Sequence, residues 1–415
     1  MLKIEILSKP VIDINDYDYP LPEERIAKFP LANRDDSKLL VNVDGVPRED
    51  SFRNIASLIP ENALMVFNET KVIPARLFFR RDSGALIEIF CLEPYEPSDY
   101  QLCFAATSSC RFKCIIGNLK RFKGTVSLIV DHCSSDDLAV LSALDLKATL
   151  VERIDNTCIV EFTWKGGKSF SEVMQLCGNM PIPPYLNRDT AEIDYTRYQT
   201  TYARWEGSVA APTAGLHFTE RVMDEIRARG VDIEYLTLHV GAGTFLPVKS
   251  RNVAEHNMHS EPFVVTKAFL ERLAERVGDG KVVSVGTTST RTLESLYYLG
   301  VHCIEQGEPG IVQQWEPYRD EGYSYSAKES LSALIKYLDD NNLDKITART
   351  SLIIVPGFKY RMIDYLVTNF HQPKSTLLLL IAALIGDGWR DMYSFALDHG
   401  FRFLSYGDSS FLKRC

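Results

Sequence analysis

The sequence predicts an α/β protein: a large α/β domain into which a small antiparallel β-barrel-like domain is inserted. Three observations predict it. The 415 residues, 45% hydrophobic and 24% charged, exceed what one core usually holds, because single cores rarely grow past about 250–300 residues. From about Ala75 to Trp164 the chain reads as short β-type runs, and beyond residue 165 capped helices alternate with apolar strands.

The β-type runs are ARLFFRR, ALIEIFCLE, YQLCFAAT, GTVSLIV, LKATLVERI and TCIVEFTW. Gly, Asp, Asn or Ser separates them, the punctuation of a small barrel or sandwich. Later, Thr219 is placed to cap the helix TERVMDEIRARG, with Gly230 as its left-handed stop. Strand DIEYLTLHV, a helix from Thr266, strand KVVSVG and helix RTLESLYYLG, stopped at Gly300, follow in turn. A capping box, Ser326 with Glu329, opens a helix over 326–340, and strand SLIIV precedes two more helices. The expected division is 1–73 with 170–415 as the discontinuous α/β domain and 74–169 as the inserted barrel-like domain. A helical insert over about 305–350 is read as a peripheral excursion.

Composition excludes several classes. The start of the chain lacks a basic stretch followed by an apolar one, and the longest apolar run, Leu377 to Ile385, is too short to span a bilayer. A soluble, cytoplasmic, monomeric protein without a membrane partner is expected. Nine cysteines, seven of them between Cys91 and Cys177, form no C-x-x-C pair and are read as reduced and buried. A net charge of −9 argues against a surface that coats nucleic acid, so an RNA site must be local. The candidate is RFKCIIGNLKRFKG, with Arg111, Lys113, Lys120, Arg121 and Lys123 for phosphates and Phe112 and Phe122 for bases; a solvated basic hairpin is the alternative.

Chemistry-bearing residues fall in loops that join strands to helices. GSVAAPTAGLHFTE sets small residues, Thr213 and Gly215 among them, ahead of a helix, with His217 able to move a proton; a structural turn reads equally well. LHVGAGTF runs a strand past His239 into Gly241 and Gly243 but lacks the third glycine of a dinucleotide fingerprint. In VGTTSTRT, Thr287 and Ser289 open a helix that suits a carboxylate or phosphate, or simply cap it. EHNMHSE contributes His256 and His259 in an H-x-x-H spacing that is not the zinc-hydrolase H-E-x-x-H, so a metal-dependent hydrolase is the minor reading and no metal is expected. TNFHQPKST gathers Asn369, His371 and Lys374, and FRFLSYGD brings Arg402, Tyr406 and Asp408.

These segments, together with YDYPLPEERIAKFPLANRDDSKLLV, LMVFNETKVIPARL, MPIPPYLNRD and RYQTTYA, occur in one order. In that order the chain resembles the S-adenosylmethionine:tRNA ribosyltransferase-isomerases of queuosine biosynthesis. The resemblance covers about 16–304 and 351–410. It implies an enzyme that consumes S-adenosylmethionine as a ribosyl donor and acts on tRNA bearing 7-aminomethyl-7-deazaguanine at the wobble position, yielding epoxyqueuosine, adenine and methionine. It also implies an α/β domain with an inserted β-barrel. The sequence departs from the family pattern at Gln372, over 100–124 and in the insert, which leaves room for a paralogue acting on another RNA or deazaguanine. Such chemistry needs a base beside the sulfonium and donors for adenine and the methionine carboxylate. His217 and His371 are expected to share acid–base and orienting work, with Glu69 as a third group. Arg291 and its turn would hold the carboxylate or ribose, and Phe218, Phe370 and Tyr406 would sandwich a base. Lys71 and Arg76 join Lys113, Lys120, Arg121 and Lys123 as expected RNA contacts. A non-catalytic RNA-binding module is the third class.

Overall fold

The computed structural model describes residues 9–415 apart from 82, 130–132, 134, 136, 242–247, 249 and 319–322. The chain begins with β1 (Lys38–Asn42), β2 (Arg48–Ser51), a short α1 (Ile55–Leu58), β3 (Leu64–Asn68) and β4 (Thr70–Val72). Then come β5 (Arg76–Arg80), β6 (Leu86–Glu96), α2 (Tyr100–Ala105), β7 (Ser109–Gly117), β8 (Thr125–Leu128), α3 (Leu138–Leu144), β9 (Lys147–Ile154) and β10 (Thr157–Thr163). Next are α4 (Phe170–Cys177), α5 (Glu192–Arg197), β11 (Trp205–Ser208), α6 (Glu220–Ala228), β12 (Asp232–Leu238), β13 (Glu261–Thr266), α7 (Lys267–Arg276) and β14 (Val282–Val285). The last are α8 (Thr287–Gln306), α9 (Ala327–Asp340), β15 (Lys345–Thr350), β16 (Tyr365–Asn369), α10 (Thr376–Ile385), α11 (Trp389–Asp398) and β17 (Ser409–Lys413).

Among the described residues, nine strands form one mixed sheet in the order β15-β13-β12-β3-β14-β16-β17-β1-β2. Its centre, β12, β3, β14 and β16, is parallel. β3 is buried at every position, the continuous apolar run expected of a strand covered on both faces. Six strands close a barrel, β10-β7-β6-β5-β8-β9, antiparallel throughout. The chain leaves for the barrel after β4 and returns before β11, and these two short strands pair in parallel. Phe170, Val173, Met174 and Cys177 of α4 join the barrel's apolar cluster, so its packing runs past residue 169.

Four sequence expectations change. YQLCFAAT is not a strand: Asp99 accepts from Leu102 N and starts α2, which buries Cys103 and Phe104. SLIIV lies outside the strands with Leu352–Val355 buried; Ser351 N and Ile353 N donate to Val312 O and Gln314 O, each at 3.3 Å, and side chains take much of the rest of its backbone. Arg291 Nε donates to Leu352 O at 3.0 Å, while the Tyr318 hydroxyl donates to Ile353 O at 3.1 Å and accepts from Val355 N at 2.9 Å. The strand is instead KITART, β15. Gly300 does not stop α8, which continues to Gln306 and ends at Gly307 with φ 84°. A Cβ at Gly300 would stand 2.1 Å from Ser330 O, so glycine permits the approach of α9. The 305–350 segment is therefore no peripheral excursion. β15 pairs with β13 along its whole length, and Leu331, Leu334 and Leu338 of α9 lie in the main core.

The basic hairpin also reads differently in place. Arg111 pairs with Glu96 at 2.5 Å and Glu161 at 3.0 Å, and Lys113 with Glu93 at 3.2 Å, all from neighbouring strands. Phe112 and Phe122 are buried in the barrel and cannot stack on bases. Lys120, Arg121 and Lys123 remain exposed on the turn. Cys91, Cys103, Cys110, Cys114, Cys158 and Cys177 are buried.

Candidate active site

Parallel strands β12, β3, β14 and β16 lie side by side, and residues at and beyond the carboxyl ends of β12, β14 and β16 form a cleft. Ligands in open α/β sheets bind at such carboxyl ends. Val240 follows β12, Gly286, Thr287 and Thr288 follow β14, Asn369 ends β16 and Phe370, His371 and Gln372 follow it; Ala210–Ala214, Leu404 and Ser405 also line the walls. Gly286 adopts φ 87° and lets the chain turn straight into α8. Thr290 N is the first amide bonded back, to Gly286 O at 3.1 Å, so the amides of Thr287, Thr288 and Ser289 stand at the positive end of a 20-residue helix.

His371 lines this cleft. Thr368 Oγ1 lies 2.9 Å from its Nε2, and the Tyr393 hydroxyl accepts from its backbone N–H at 3.0 Å. Burial pushes its pKa down to about 3, so the ring is neutral near pH 7. His217 lies behind the wall. Its Nδ1 meets Ser37 Oγ at 2.9 Å and its Nε2 meets Asn369 Nδ2 at 3.2 Å. Burial first, then the charges of Arg402 and Arg34, push its pKa down to about 3. Asn369 Nδ2 also donates to Leu404 O at 3.3 Å, which fixes the amide's orientation and leaves its buried Oδ1 unpartnered beside the cleft. His217 thus bonds to Asn369, two residues before His371, and of the two histidines His371 is the one on the cleft.

An adjoining cavity of about 710 Å³ shares Thr376 and Leu377 with the cleft. His256, Asn257, Met258, His259, Arg291 and the Leu352–Ile354 run line it. Arg291 pairs through Nη1 with Glu261, and among the described residues its buried Nη2 has no partner. Glu261 also accepts from Gly241 N at 3.0 Å and stands 3.0 Å from His259 Nε2. Although burial opposes it, the charge of Arg291 holds the Glu261 pKa down, to about 2. Burial lowers the pKa of His256.

The remaining expected residues separate into groups. Thr213 lines the cleft; Gly215 faces Tyr202, whose hydroxyl would be 1.9 Å from an added Cβ. Phe218 is core, packed edge-on to Phe52 and Phe67, and is not free to sandwich a base. Phe370 lines the cleft. Tyr406 is buried and donates to Asp194 at 2.7 Å. His239 stacks on Tyr100 of α2 at 4.1 Å and meets Thr70 Oγ1 at 3.1 Å, joining sheet to barrel; burial pushes its pKa down to about 4. Ser289 is wholly buried. Gly243 lies outside the described residues. Glu69, half-buried with its pKa raised by burial, accepts from Trp205 Nε1 at 3.0 Å and is not among the cleft-lining residues. Lys71 pairs with Glu206, Arg76 with Glu88, Lys374 with Asp18 and Arg402 with Asp408. Among the described residues no three His, Cys, Asp or Glu side chains are grouped to hold a metal ion.

Sequence reasoning missed Ser37, Thr368 and Tyr185, the last paired with Ser405 at the cleft. It also missed Arg34 and Arg197, which line a smaller pocket with His217. Ser37 and Arg34 both lie in the NRDDSK run, whose polar residues before an apolar strand were a signal.

The family described as "Queuosine biosynthesis protein" matches residues 14–412. The chain is similar to the S-adenosylmethionine:tRNA ribosyltransferase-isomerase of Geobacter metallireducens, 35% identical over 404 residues, 96% of this chain and 99% of that one. With the protein of the same name from Halothermothrix orenii it is 37% identical over 403 residues, 95% and 98% of the two chains. A crystal structure of S-adenosylmethionine tRNA ribosyltransferase from Thermotoga maritima aligns with 26% identity and a TM-score of 0.45 over 96% of this chain and 99% of that one.

Proposed function

This chain belongs to the queuosine biosynthesis protein family, and from that premise we propose that it transfers and isomerises the ribosyl moiety of S-adenosylmethionine onto 7-aminomethyl-7-deazaguanine at the tRNA wobble position. The products are epoxyqueuosine, adenine and methionine. The observation that carries the site assignment is the cleft at the carboxyl ends of β12, β14 and β16, with a buried neutral histidine, an amide oxygen unpartnered among the described residues and a helix N-terminus on its walls. S-Adenosylmethionine is the consumed co-substrate.

The base and the ribosyl group react in the cleft, and the methionyl arm enters the adjoining cavity. Its carboxylate meets Arg291 Nη2, and its methylene chain packs on Met258 and Leu352. His371, held at Nε2 by Thr368, takes and returns the proton beside the sulfonium. A neutral ring is the form that accepts a proton. Asn369 Oδ1 accepts from an amino group of the incoming or departing base, and His217 positions that amide from behind. Glu69 acts at longer range than either histidine. The exposed turn of Lys120, Arg121 and Lys123 meets tRNA phosphates away from the cleft.

The test is to incubate the protein with S-adenosylmethionine and tRNA carrying the deazaguanine precursor. Adenine released in step with a modified nucleoside of epoxyqueuosine mass supports the reading. Adenine without modified RNA, or neither product, removes it.

A further inference from the structure

The pocket behind the cleft wall holds two guanidiniums that no carboxylate among the described residues answers. It is lined by Arg34, Ser37, Arg197, His217, Arg402 and Ser405, among others. Arg34 bonds only backbone carbonyls: Leu216 O at 3.1 Å, Arg197 O at 3.4 Å and Thr196 O at 2.9 Å. Arg197 does the same, to Ala32 O at 3.0 Å and Leu31 O at 2.8 Å, and its Nε is buried without a partner. Among the described residues neither guanidinium has a carboxylate. Nearby carboxylates are engaged elsewhere, Asp35 with Arg221, Asp36 with Arg53, Asp194 with Arg188 and Asp408 with Arg402.

Two half-buried guanidiniums held together without a counter-charge repel one another, and burial with the neighbouring Arg197 charge brings the pKa of Arg34 down to about 10. Such an arrangement is stabilised by an anion that enters from outside. Its place is informative. The pocket shares Ser405 with the cleft, and the wall between them is the Asn369–His217 hydrogen bond. In a chain of net charge −9, a local doublet of positive charge next to the cleft favours an anionic group of a ligand seated there.

We propose that Arg34 and Arg197 form a phosphate-binding pocket that takes one backbone phosphodiester flanking the nucleotide inserted into the cleft. This rests on the tRNA reading above. An enzyme that acts on a base must take it out of the stack, and a fixed grip on the adjacent phosphate holds the nucleotide in that position. Arg402, already paired with Asp408, borders the pocket and contributes little net charge.

The experiment has two arms, each on the full chain and on Arg34→Gln, Arg197→Gln and Arg34→Lys variants checked by thermal melting. In the first, calorimetry with inorganic phosphate should detect binding by the wild type that both Gln variants weaken at least tenfold and Arg34→Lys partly restores. In the second, an anticodon stem-loop bearing the deazaguanine is compared with copies in which one phosphate at a time beside the wobble nucleotide is an uncharged methylphosphonate. One replacement should weaken wild-type binding and turnover but have little further effect on the Gln variants, and the log–log salt slope should fall by about 0.7. If every replacement acts equally on wild type and variants, the RNA assignment is overturned; phosphate binding in the first arm would then identify a free-anion site. No binding in the first arm and no coupling in the second overturn the pocket altogether. Should a variant fail to fold, the wild-type replacements still decide, since a proposal in which no flanking phosphate matters is wrong. Absence of modified nucleoside with the wild type counts against the enzymatic reading, while the phosphate arm judges the pocket separately.

Discussion

Asn369 Nδ2 donates to His217 Nε2 across 3.2 Å, which places the imidazole proton on Nδ1, facing Ser37 Oγ at 2.9 Å. The bond joins the end of β16 to the loop before α6, residues 152 apart in sequence. It also holds Asn369 so that Oδ1 stays open beside the cleft.

His217→Ala removes the acceptor and frees that amide to rotate. The rate of adenine release should fall about 100-fold, in the range seen when a group that holds reacting partners in place is lost. Stability should drop by about 1–3 kcal/mol, the cost of a buried donor left unsatisfied. Binding of S-adenosylmethionine should change far less than turnover. Wild-type turnover in a variant that melts normally would exclude the positioning role.

His371 should govern both rate and acid stability. His371→Ala is expected to lower adenine release by about 10²–10⁴-fold. Its folded pKa of about 3 lies below the ordinary 6.5, so the unfolded chain binds the proton first as pH falls. The ring's contribution is complete above about pH 6.5 and is lost progressively towards pH 3. Between pH 6 and 4, His371→Gln should therefore show a shallower loss of unfolding free energy than wild type, by about 1.4 kcal/mol per pH unit. Parallel denaturation curves across that range would contradict the buried neutral ring.

Arg291 answers the buried Glu261. Arg291→Ala strands that carboxylate and should cost about 3–5 kcal/mol, whereas the double change Arg291→Met with Glu261→Gln should cost less. Arg291→Lys keeps a charge near Glu261 but loses the free Nη2, and should weaken S-adenosylmethionine binding about tenfold with a smaller change in melting. Undiminished affinity of the Lys variant would move the methionine carboxylate elsewhere.

Gly300 and the 305–350 segment test the packing of α8 on α9. Gly300→Ala sets a methyl 2.1 Å from Ser330 O and should cost about 1–3 kcal/mol through overpacking. Replacing 306–346 with a short Gly/Ser linker deletes α9 and the start of β15, uncovering Leu331, Leu334 and Leu338 with their core partners. Insoluble product is expected; a soluble, fully active deletion would show that the segment is dispensable.

Much of the architecture was legible in the sequence because it is written locally. Alternating burial marks β5 and β6, Thr219 and Thr266 cap α6 and α7 through their own hydroxyls, and ordered motifs carried the family. Each feature depends on residues a few positions apart, so periodicity and capping chemistry suffice to find it. The tertiary structure decided the rest, because convergence in space depends on which distant strands pair. It made β15 of KITART and left SLIIV outside the strands, bonded to the 312–314 backbone and to the Tyr318 and Arg291 side chains. It turned Phe112, Phe122 and Phe218 into core through the closure of barrel and sheet around them. It put His371 on the cleft and His217 behind it, and brought Arg34 beside Arg197 across 163 positions of chain, where backbone carbonyls hold two like charges together that no local pattern would place in contact.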